Sequence, residues 1–503
     1  MPTLPRRTLI ASALAAPALL AGGAARAQSG ATLSIGVVSD PVTLDPAFSA
    51  SFFETQVLYN LHETLLVAQP DGSVAPGLAS FTMKDKLTYS FTLRDGLTFH
   101  DGTRVDAEAC RANIQRYTDP AVGSIRKSDF GPLQSVIVTG PLTFDLVLAS
   151  PYAPLPLVLT NRAGMMVSPT AVQALGAEFA TRAVGAGPWK LAHWTKNAEL
   201  VLERFPGYRQ GAGQAFDRLV YRPLPDETVR LANLRSGTLQ LIDSVPPQAV
   251  AGLARETGVR VSQTPSLGFN AFAFNCTRPP FDDVRVRQAF TAAIDPEVVQ
   301  RVVYFGTGQV SRGPFSPAVA WAYDPATVGT RTDPAQARSL LAAAGRTEPV
   351  AVAITVTNSP QMVRIAQILQ AQAGAAGFKV TVNQIDPTSL ISVLRTRDFD
   401  LCMSPWSGRY DPDGNAYNYF AKNGPNNFAG WQDEVVTGML NEARGEADQA
   451  VRATAYRRIQ ARIIAEAPML FLHFDAILQA SSARLQWTQY PDAVFRLYDA
   501  RLT

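Results

Sequence analysis

The segment WSGRYDPDGN, residues 406–415, concentrates side chains that can bind a small molecule. Trp406 and Tyr410 supply rigid aromatic faces with a polar tip, and Arg409 supplies a planar guanidinium that can donate two hydrogen bonds to a carboxylate or a phosphate. The pattern FDLCMS at residues 399–404 predicts a strand just before this segment. Because ligand loops of open α/β sheets follow the carboxyl ends of strands, residues 406–415 are the first candidate for a ligand site.

Asp411 and Asp413 add two carboxylates to the same segment. In one interpretation, these carboxylates contact a ligand beside Arg409. In the alternative interpretation, the segment is a surface turn in which Arg409 forms an ion pair with Asp411 or Asp413. We favour the ligand-binding role and keep the ion pair as the alternative.

The sequence contains none of the common enzyme motifs that would compete with this interpretation. His62 and Glu63 begin like a zinc-protease helix, but Leu66 occupies the position where the second histidine is required. There is no G-x-S-x-G nucleophile elbow and no G-x-x-x-x-G-K-[ST] phosphate loop. The four histidines show no spacing typical of metal ligands. We therefore expect no enzyme activity, no cofactor and no metal.

The N-terminus has the order of an export signal. Arg6-Arg7 precedes an apolar run from Leu9 to Leu20, and residues 25–27 form an A-x-A cleavage site. The sequence thus predicts a signal peptide at residues 1–27 and a mature chain from Gln28, exported by the general secretory or the twin-arginine route. A membrane anchor is the weaker alternative, because the run is short and Ala-rich.

Removal of this leader changes the charge of the chain. The full sequence has 45 Lys and Arg against 42 Asp and Glu, and the leader holds three arginines and no acid, which leaves 42 of each sign. A neutral chain lacks the basic face that nucleic-acid binding requires. The mature chain of about 476 residues is longer than a domain with one hydrophobic core usually is, and this length predicts two or three domains. Cys110, Cys276 and Cys402 permit at most one disulfide, and we favour three buried thiols.

Hydrophobic periodicity outlines the framework that positions the candidate site. Short alternating strands and turns fill residues 69–184. Further along, a strand at 350–356, a helix at 361–375 and a strand at 378–385 predict two parallel strands joined by a crossover helix.

Other elements are predicted on the same basis. Residues 228–235 and 247–257 are expected to be helical, and residues 239–242 and 259–263 are expected to be strands. An amphipathic helix is expected at residues 456–467.

Four further segments carry recognisable motifs, which are TLDP at 43–46, LRDGLTFHDGTRVDAEACRANIQRY at 93–117, GAGPWKL at 185–191 and PPFDDVRVRQA at 279–289. In this order they resemble the motifs of the family-5 extracellular solute-binding proteins of peptide- and nickel-type ABC importers. The resemblance extends over residues 32–503.

The resemblance implies a fold and its division. The fold would be α/β, a two-lobed periplasmic-binding-protein (Venus-flytrap) fold with an extra mixed α+β subdomain, and the chain would cross between the lobes twice. Lobe I would comprise residues 28–68, 185–268 and 476–503, the extra subdomain of lobe I residues 69–184, and lobe II residues 269–475.

The resemblance also implies a function. The protein would be a periplasmic, monomeric solute-binding component of an ABC importer, without membrane insertion. It would capture a peptide-like or anionic non-peptide ligand by hinge closure and deliver it to the transmembrane permease subunits. A metal-chelate carrier of the nickel type is the alternative, and a secreted hydrolase is a weaker one.

Segment 406–415 departs from the peptide-binding relatives at one position. Those relatives commonly carry an acid three residues after the Trp, which holds the α-ammonium group of the peptide, and this chain has Arg409 there. A guanidinium cannot accept a hydrogen bond from an ammonium group. Unless Asp411 or Asp413 reaches the same point, we expect an anionic or hydroxyl-rich ligand, such as an acidic or modified peptide, an opine or a small glycoconjugate.

Five other side chains are candidates for ligand contact. Phe48 follows the TLDP turn and is a candidate for an apolar wall of the cleft, with a place in the core as the alternative. Arg162 is a candidate to reach the cleft from the extra subdomain, with a salt bridge as an equally weighted alternative. Phe269, Asn270 and Phe272 lie on the predicted crossing strand, where only one parity of side chains can face the ligand.

Overall fold

The computed structural model describes residues 31–209, 214–326 and 332–503. The predicted signal peptide at residues 1–27 lies outside the described residues.

The strands alternate with helices along most of the chain. In chain order, the strands are β1 Thr32–Val37, β2 Leu66–Ala68, β3 Val74–Pro76, β4 Ala79–Asp85, β5 Thr88–Leu93, β6 Leu133–Gly140, β7 Thr143–Leu148, β8 Trp189–Thr195, β9 Glu199–Arg204, β10 Arg218–Pro223, β11 Leu241–Ile242, β12 Val259–Pro265, β13 Asn270–Phe274, β14 Gln309–Val310, β15 Val350–Thr357, β16 Phe378–Ile385, β17 Leu401–Met403, β18 Met469–Phe474, β19 Ala476–Ser482, β20 Leu485–Gln486 and β21 Arg501–Leu502.

The helices vary from single turns to five turns. They are α1 Phe52–Leu61, α2 Ala107–Thr118, α3 Leu155–Val158, α4 Pro169–Leu175, α5 Glu227–Arg235, α6 Val250–Leu253, α7 Val284–Ala293, α8 Pro296–Val302, α9 Pro334–Ala343, α10 Pro360–Ala375, α11 Leu390–Thr396, α12 Pro412–Phe420, α13 Glu434–Gly445 and α14 Gln449–Glu466.

Lobe I is built on a seven-stranded mixed sheet in the order β12-β19-β11-β1-β10-β9-β8 within the described residues. Strand β1 lies at its centre and pairs in parallel with β10 and β11. The apolar side chains of β1, Leu33 and Ile35, are fully buried and pack against Trp189 and Phe216. The burial follows the sequence of β1, in which Leu33, Ile35 and Val37 alternate with smaller or polar residues.

Lobe II is built on a second sheet in the order β14-β18-β13-β17-β15-β16. Strands β15 and β16 pair in parallel over their whole length, and α10 connects them along the chain. This arrangement confirms the predicted crossover unit. Helix α10 buries Ile365 and Leu369 on one face, in the core that also contains residues from β15 and β16.

The extra subdomain contains a four-stranded antiparallel sheet in the order β4-β5-β7-β6, with α2 against it. Phe91 of β5 and Phe144 of β7 stack with ring centroids 5.1 Å apart in its core. Helix α2 begins where Asp106 accepts a hydrogen bond from the backbone N–H of Ala109, which satisfies one free donor at the helix N-terminus. The region is therefore mixed α+β, as predicted, with helix α2 packed on the four-stranded sheet.

The lobes are joined where one sheet ends and the other begins. Strand β12 pairs antiparallel with β19 in lobe I, and β13 pairs antiparallel with β18 in lobe II. The chain therefore crosses between the lobes twice, once after β12 and once after β18. These observations establish the two-lobed α/β architecture, and the exact domain boundaries given above stay predictions.

Several local predictions differ from the structure. Helix α14 begins at Gln449 rather than at residue 456, because Asp448 caps it by accepting from the N–H groups of Ala450 and Val451. The predicted helix at 247–257 is shorter, since its α-helical part is only α6. The three cysteines are free thiols, but Cys276 is partly exposed and not buried as expected.

Candidate functional site

The loop after β17 is anchored to the segment that crosses between the lobes. The backbone of Trp406 exchanges two hydrogen bonds with Phe269, at 2.9 and 3.0 Å. Gly408 has a φ of +82°, and a Cβ atom there would lie 2.1 Å from the carbonyl carbon of Leu267. Only glycine permits this close approach, so the loop is held against the hinge region in one shape.

A buried amide fixes the loop from its other side. The Oδ1 atom of Asn415 accepts hydrogen bonds from the indole N–H of Trp406 (2.9 Å) and from the backbone N–H of Arg409 (2.8 Å). Its Nδ2 atom donates to the Arg409 carbonyl at 2.9 Å. Asn415 is fully buried in α12, so the helix positions both binding candidates at once.

Among the described residues, the Arg409 side chain forms no ion pair with an acid. Its guanidinium carbon lies 4.5 Å from the centre of the Trp406 ring, and it donates a 2.6 Å hydrogen bond to the Gly408 carbonyl. No carboxylate of the described residues lies within 4.0 Å of it. The side chain is solvent-accessible, yet the surrounding protein lowers its pKa. Access to water combined with dense surroundings is typical of a cleft.

The two neighbouring carboxylates are held elsewhere. Asp411 accepts two hydrogen bonds from Arg452, at 2.6 and 2.9 Å, and both side chains are buried. Asp413 accepts two from Arg444, at 2.7 and 3.0 Å, and burial raises its pKa despite this partner. The alternative in which Arg409 pairs with Asp411 or Asp413 is therefore wrong. The geometry also gives no support to ligand contact by these two carboxylates.

Tyr410 follows Arg409 in the sequence, and its ring faces the opposite lobe. It is buried, and its hydroxyl has no hydrogen-bond partner among the described residues. A Cβ atom at Gly72, in the turn between β2 and β3, would lie 3.7 Å from its ring. The hydroxyl is thus a free donor where the lobes approach each other.

The opposite wall of the cleft contains two more arginines. Arg162 is 9% exposed and donates to the Ser51 carbonyl at 3.3 Å, while its Nε has no partner. No carboxylate lies within 4.0 Å of Arg162 in the part of the chain that the structure describes. Arg126 pairs with Asp129 at 3.0 Å, but its Nε also lacks a partner.

These charges interact across the cleft. Burial, together with the nearby charges of Arg126 and Arg409, lowers the pKa of Arg162 to about 10. Tyr59 of α1 lies in the same region, where its hydroxyl donates to the Thr160 carbonyl at 3.0 Å. Burial raises the pKa of Tyr59 to about 12, so it is a neutral donor at physiological pH.

The other predicted contacts divide into two groups. Phe48 is 42% exposed and lies 5.8 Å from the guanidinium of Arg116, so it is accessible to a ligand. Phe269 and Phe272 are buried in the cores of lobe II and do not reach solvent. Asn270 donates to the Asp475 carboxylate at 2.7 Å and thereby links the two crossing segments. Its position indicates a structural role at the hinge.

Sequence reasoning named Trp406, Arg409, Tyr410 and Arg162. The first three share one loop, and the charge of Arg409 lowers the pKa of Arg162. Sequence reasoning assigned no role to Asn415, Arg126 or Tyr59. Asn415 stands in the quoted segment, but nothing in a sequence distinguishes an amide that clamps a loop from one that faces water. Arg126 carries no motif at all.

Two observations on the described residues concern metal binding and membrane insertion. Among the described residues, no group of three or more His, Cys, Asp or Glu side chains is arranged to hold a metal ion. No helix in the described ranges is both long enough and apolar enough to cross a membrane.

Comparison with known families identifies this architecture. The model of the bacterial extracellular solute-binding proteins, family 5 (middle region), matches residues 73–428, which is more than half of the chain. The chain belongs to this family. Its function is therefore to bind a solute outside the cytoplasm for an ABC importer, as the sequence motifs predicted.

Individual relatives cover nearly the whole length of this family-5 protein. It is 27% identical over 483 residues to the glutathione-binding protein GsiB of Shigella flexneri serotype 5b, covering 93% of this chain and 94% of the relative. The structure of HbpA2 from Haemophilus parasuis superimposes with a TM-score of 0.85 at 23% identity, over 94% of this chain and all of the other. The periplasmic binding protein DppA from Helicobacter pylori, in complex with the peptide STSA, gives a TM-score of 0.81 at 23% identity, over 94% and 98% of the two chains.

Proposed function

We propose that this family-5 protein captures a small anionic ligand between its lobes and delivers it to the transmembrane subunits of an ABC importer. Arg409 binds a negatively charged group of the ligand, and Trp406 supports the guanidinium by stacking against it. The ligand is peptide-like, with acidic groups, or an anionic non-peptide.

The observation that carries this proposal is the unpaired charge of Arg409. An ordinary peptide would bring its α-ammonium group to a cation, and the nearest acids in the sequence, Asp411 and Asp413, are already held by Arg452 and Arg444. A carboxylate or phosphate would instead complete the hydrogen bonding of the guanidinium. The name of the relative GsiB is compatible with this class, since glutathione carries two free carboxylates and one ammonium group and is therefore a net anion.

Transport would proceed by hinge closure without covalent chemistry. The ligand contacts both lobes only when they are closed, so its binding shifts the balance towards the closed form, which the permease recognises. Export by the general secretory or twin-arginine route would place the mature monomer in the periplasm.

A thermal-shift screen of the mature protein from Gln28 tests the proposal. The panel contains ordinary di- to pentapeptides, glutathione and anionic non-peptides. A ligand at one hundred times its dissociation constant stabilises the folded state by about 2.7 kcal/mol. We expect stabilisation by anionic compounds and none by ordinary peptides.

Titration calorimetry of the hit then tests Arg409 itself. Arg409→Gln should weaken binding at least tenfold, whereas Arg458→Gln, which removes an exposed arginine of α14, should leave it unchanged. Stabilisation by ordinary peptides, or unchanged affinity of the Arg409→Gln variant, would refute the anionic assignment.

A further inference from the structure

A cavity of about 190 Å³, here called the hairpin cavity, lies between lobe I and the hairpin formed by β2 and β3. Among the described residues, none of those that line it belongs to lobe II, so it is separate from segment 406–415. A cavity of about 150 Å³ accommodates a benzene molecule, so this one has room for a compound the size of a single amino acid. Its lining includes Tyr59, Glu63, Arg94, Tyr208, Arg209 and Tyr498.

Glu63 supplies a buried acceptor at the wall of the hairpin cavity. Its side chain is 7% exposed, and its Oε1 atom accepts a hydrogen bond from Arg209. Tyr208 approaches the same carboxylate, yet the Oε2 atom has no hydrogen-bond partner among the described residues. Burial raises the pKa of Glu63, and the charge of Arg209 opposes this shift. Because a buried acceptor without a partner is costly, a donor group of a bound molecule would be stabilised at Oε2.

Two guanidinium groups of the same cavity have donors that remain available. Arg94 follows β5 and donates to the carbonyls of Gly77 at 2.8 Å and Pro76 at 3.2 Å, which fix its direction. A guanidinium has more N–H donors than these two carbonyls use. No carboxylate of the described residues lies within 4.0 Å of Arg94, and its side chain is exposed, so the cavity opens to solvent on this side. The Nε atom of Arg209 is buried and has no partner in the part of the chain that the structure describes.

The charges of the hairpin cavity complement a zwitterion. Arg209 pairs with Glu63, and Arg496 pairs with Asp492 at 2.7 and 3.0 Å, so Arg94 is left without an acid among the charged groups described in the lining. Its guanidinium suits a carboxylate, whereas Oε2 of Glu63 suits an ammonium group, which can only donate hydrogen bonds. Three tyrosine rings of the lining supply apolar faces for the rest of such a ligand.

We propose that the hairpin cavity is a second binding site of this protein and that it takes a free α-amino acid, with the carboxylate on Arg94 and the ammonium group on Oε2 of Glu63. The site is separate from the anion site proposed at Arg409, and a ligand can occupy it while the cleft between the lobes is empty. Both charged ends of the amino acid meet a group that the fold leaves incompletely paired.

Titration calorimetry of the full mature chain with glycine, L-alanine, L-serine and L-valine tests the class of ligand. The best binder is compared with its N-acetyl derivative, which lacks the ammonium group, and with its amide, which lacks the carboxylate. This comparison uses the Arg409→Gln variant, so that the anion site between the lobes does not contribute. Each derivative should bind about tenfold or more weakly, because each loses one charge-assisted hydrogen bond. Equal affinity of either derivative, or no binding by any of the four amino acids, would overturn the assignment.

Variants of the cavity test where the amino acid binds. Arg94→Gln and Glu63→Gln should each weaken its binding about tenfold or more. Arg104→Gln, at an exposed arginine of the extra subdomain outside the cavity, should leave the affinity unchanged. Because Glu63 is buried and ion-paired, the exposed Arg94 provides the decisive variant if Glu63→Gln does not fold. Unchanged affinity of Arg94→Gln would refute the site.

A reciprocal comparison separates the hairpin cavity from the cleft between the lobes. Arg409→Gln should bind the amino acid as wild type does, and Arg94→Gln should bind the anionic ligand as wild type does. Loss of amino-acid binding in Arg409→Gln would mean that the amino acid occupies the cleft, and the hairpin cavity would not be its site. Failure of every anionic compound to stabilise the protein would instead refute the proposed function and leave the result for the hairpin cavity unaffected.

Discussion

The ten-residue segment 406–415 of lobe II involves two kinds of arginine. Arg409 belongs to the segment itself, whereas Arg444 and Arg452 contact it from other helices. Arg444 and Arg452 come from α13 and α14 and hold Asp413 and Asp411 in buried, two-bond ion pairs. Arg409 contacts an aromatic ring and a backbone carbonyl, and no carboxylate in the described part of the chain lies within 4.0 Å of it. One set stabilises the base of the loop, and the other is available to a ligand.

This difference shows that residue type and spacing do not decide which charges are functional. Asp411 and Asp413 have the composition expected of a ligand site, but distant arginines neutralise them. A charge at a cleft becomes available for binding when the fold supplies no counter-ion. The following predictions test that rule, in order of decreasing effect.

The largest effect is expected where an ion pair is broken from one side. Asp411→Ala leaves Arg452 buried without its acid, and such a loss costs about 3–5 kcal/mol of folding free energy. Urea denaturation should show this destabilisation, while Asp398→Ala, at an exposed acid of lobe II, should stay within about 0.5 kcal/mol of wild type. If Asp411→Ala unfolds like the control, the structural role assigned to this pair is wrong.

Asp243 of lobe I sharpens the comparison, because it is a buried acid without an ion-pair partner among the described residues. One of its oxygens accepts from the Val38 N–H at 3.0 Å, the other has no partner, and burial raises its pKa to about 6. The folded state therefore binds more protons than the unfolded state between pH 4 and 6. As the pH rises through that window, the ionisation of Asp243 lowers the free energy of unfolding of the protein.

Asp243→Asn removes this titration. The stability of the Asn variant relative to wild type should improve by up to about 3 kcal/mol between pH 4 and pH 7. Denaturation at both pH values measures the change, and Asp398→Asn should show no such trend. A pH-independent difference between Asp243→Asn and wild type would contradict the assignment.

A smaller effect is expected at Asn415, which lies in α12 beside the buried ion pairs and holds the backbone of Arg409. Asn415→Ala removes three hydrogen bonds and leaves buried backbone groups of Arg409 unsatisfied, at a cost of about 1–3 kcal/mol. Ligand affinity should fall as well, because Arg409 is no longer fixed. Calorimetry and denaturation should be compared with Asn418→Ala in the same helix, and normal affinity for Asn415→Ala would exclude the positioning role.

The smallest effect concerns the apolar part of the opposite wall. Phe48→Ala should weaken ligand binding by less than tenfold and change folding stability by about 0.5 kcal/mol or less, because the ring is substantially exposed. A loss greater than tenfold would mean that apolar contact, and not charge, dominates recognition.

Much of the architecture was predictable because it depends on local patterns. The alternation of residues 350–356 and the helical period of residues 361–375 predicted β15 and α10, and burial on one face of α10 explains why. Helix α14 was predicted too short because its start is set by the capping side chain of Asp448. A capping residue leaves no mark in the hydrophobic periodicity from which the helix was predicted. Phe269 and Phe272 were candidates for contact, but they face the core of lobe II because each packs against elements from distant parts of the chain.

The sequence by itself determined the two-lobed α/β class, the family and the position of Arg409 after a strand, because periodicity and short motifs are local properties of the chain. Only the tertiary structure decided which charges are free. Counter-ions come from residues that are tens of positions apart, such as Arg452 for Asp411 and Arg444 for Asp413, and folding alone determines whether these distant residues meet.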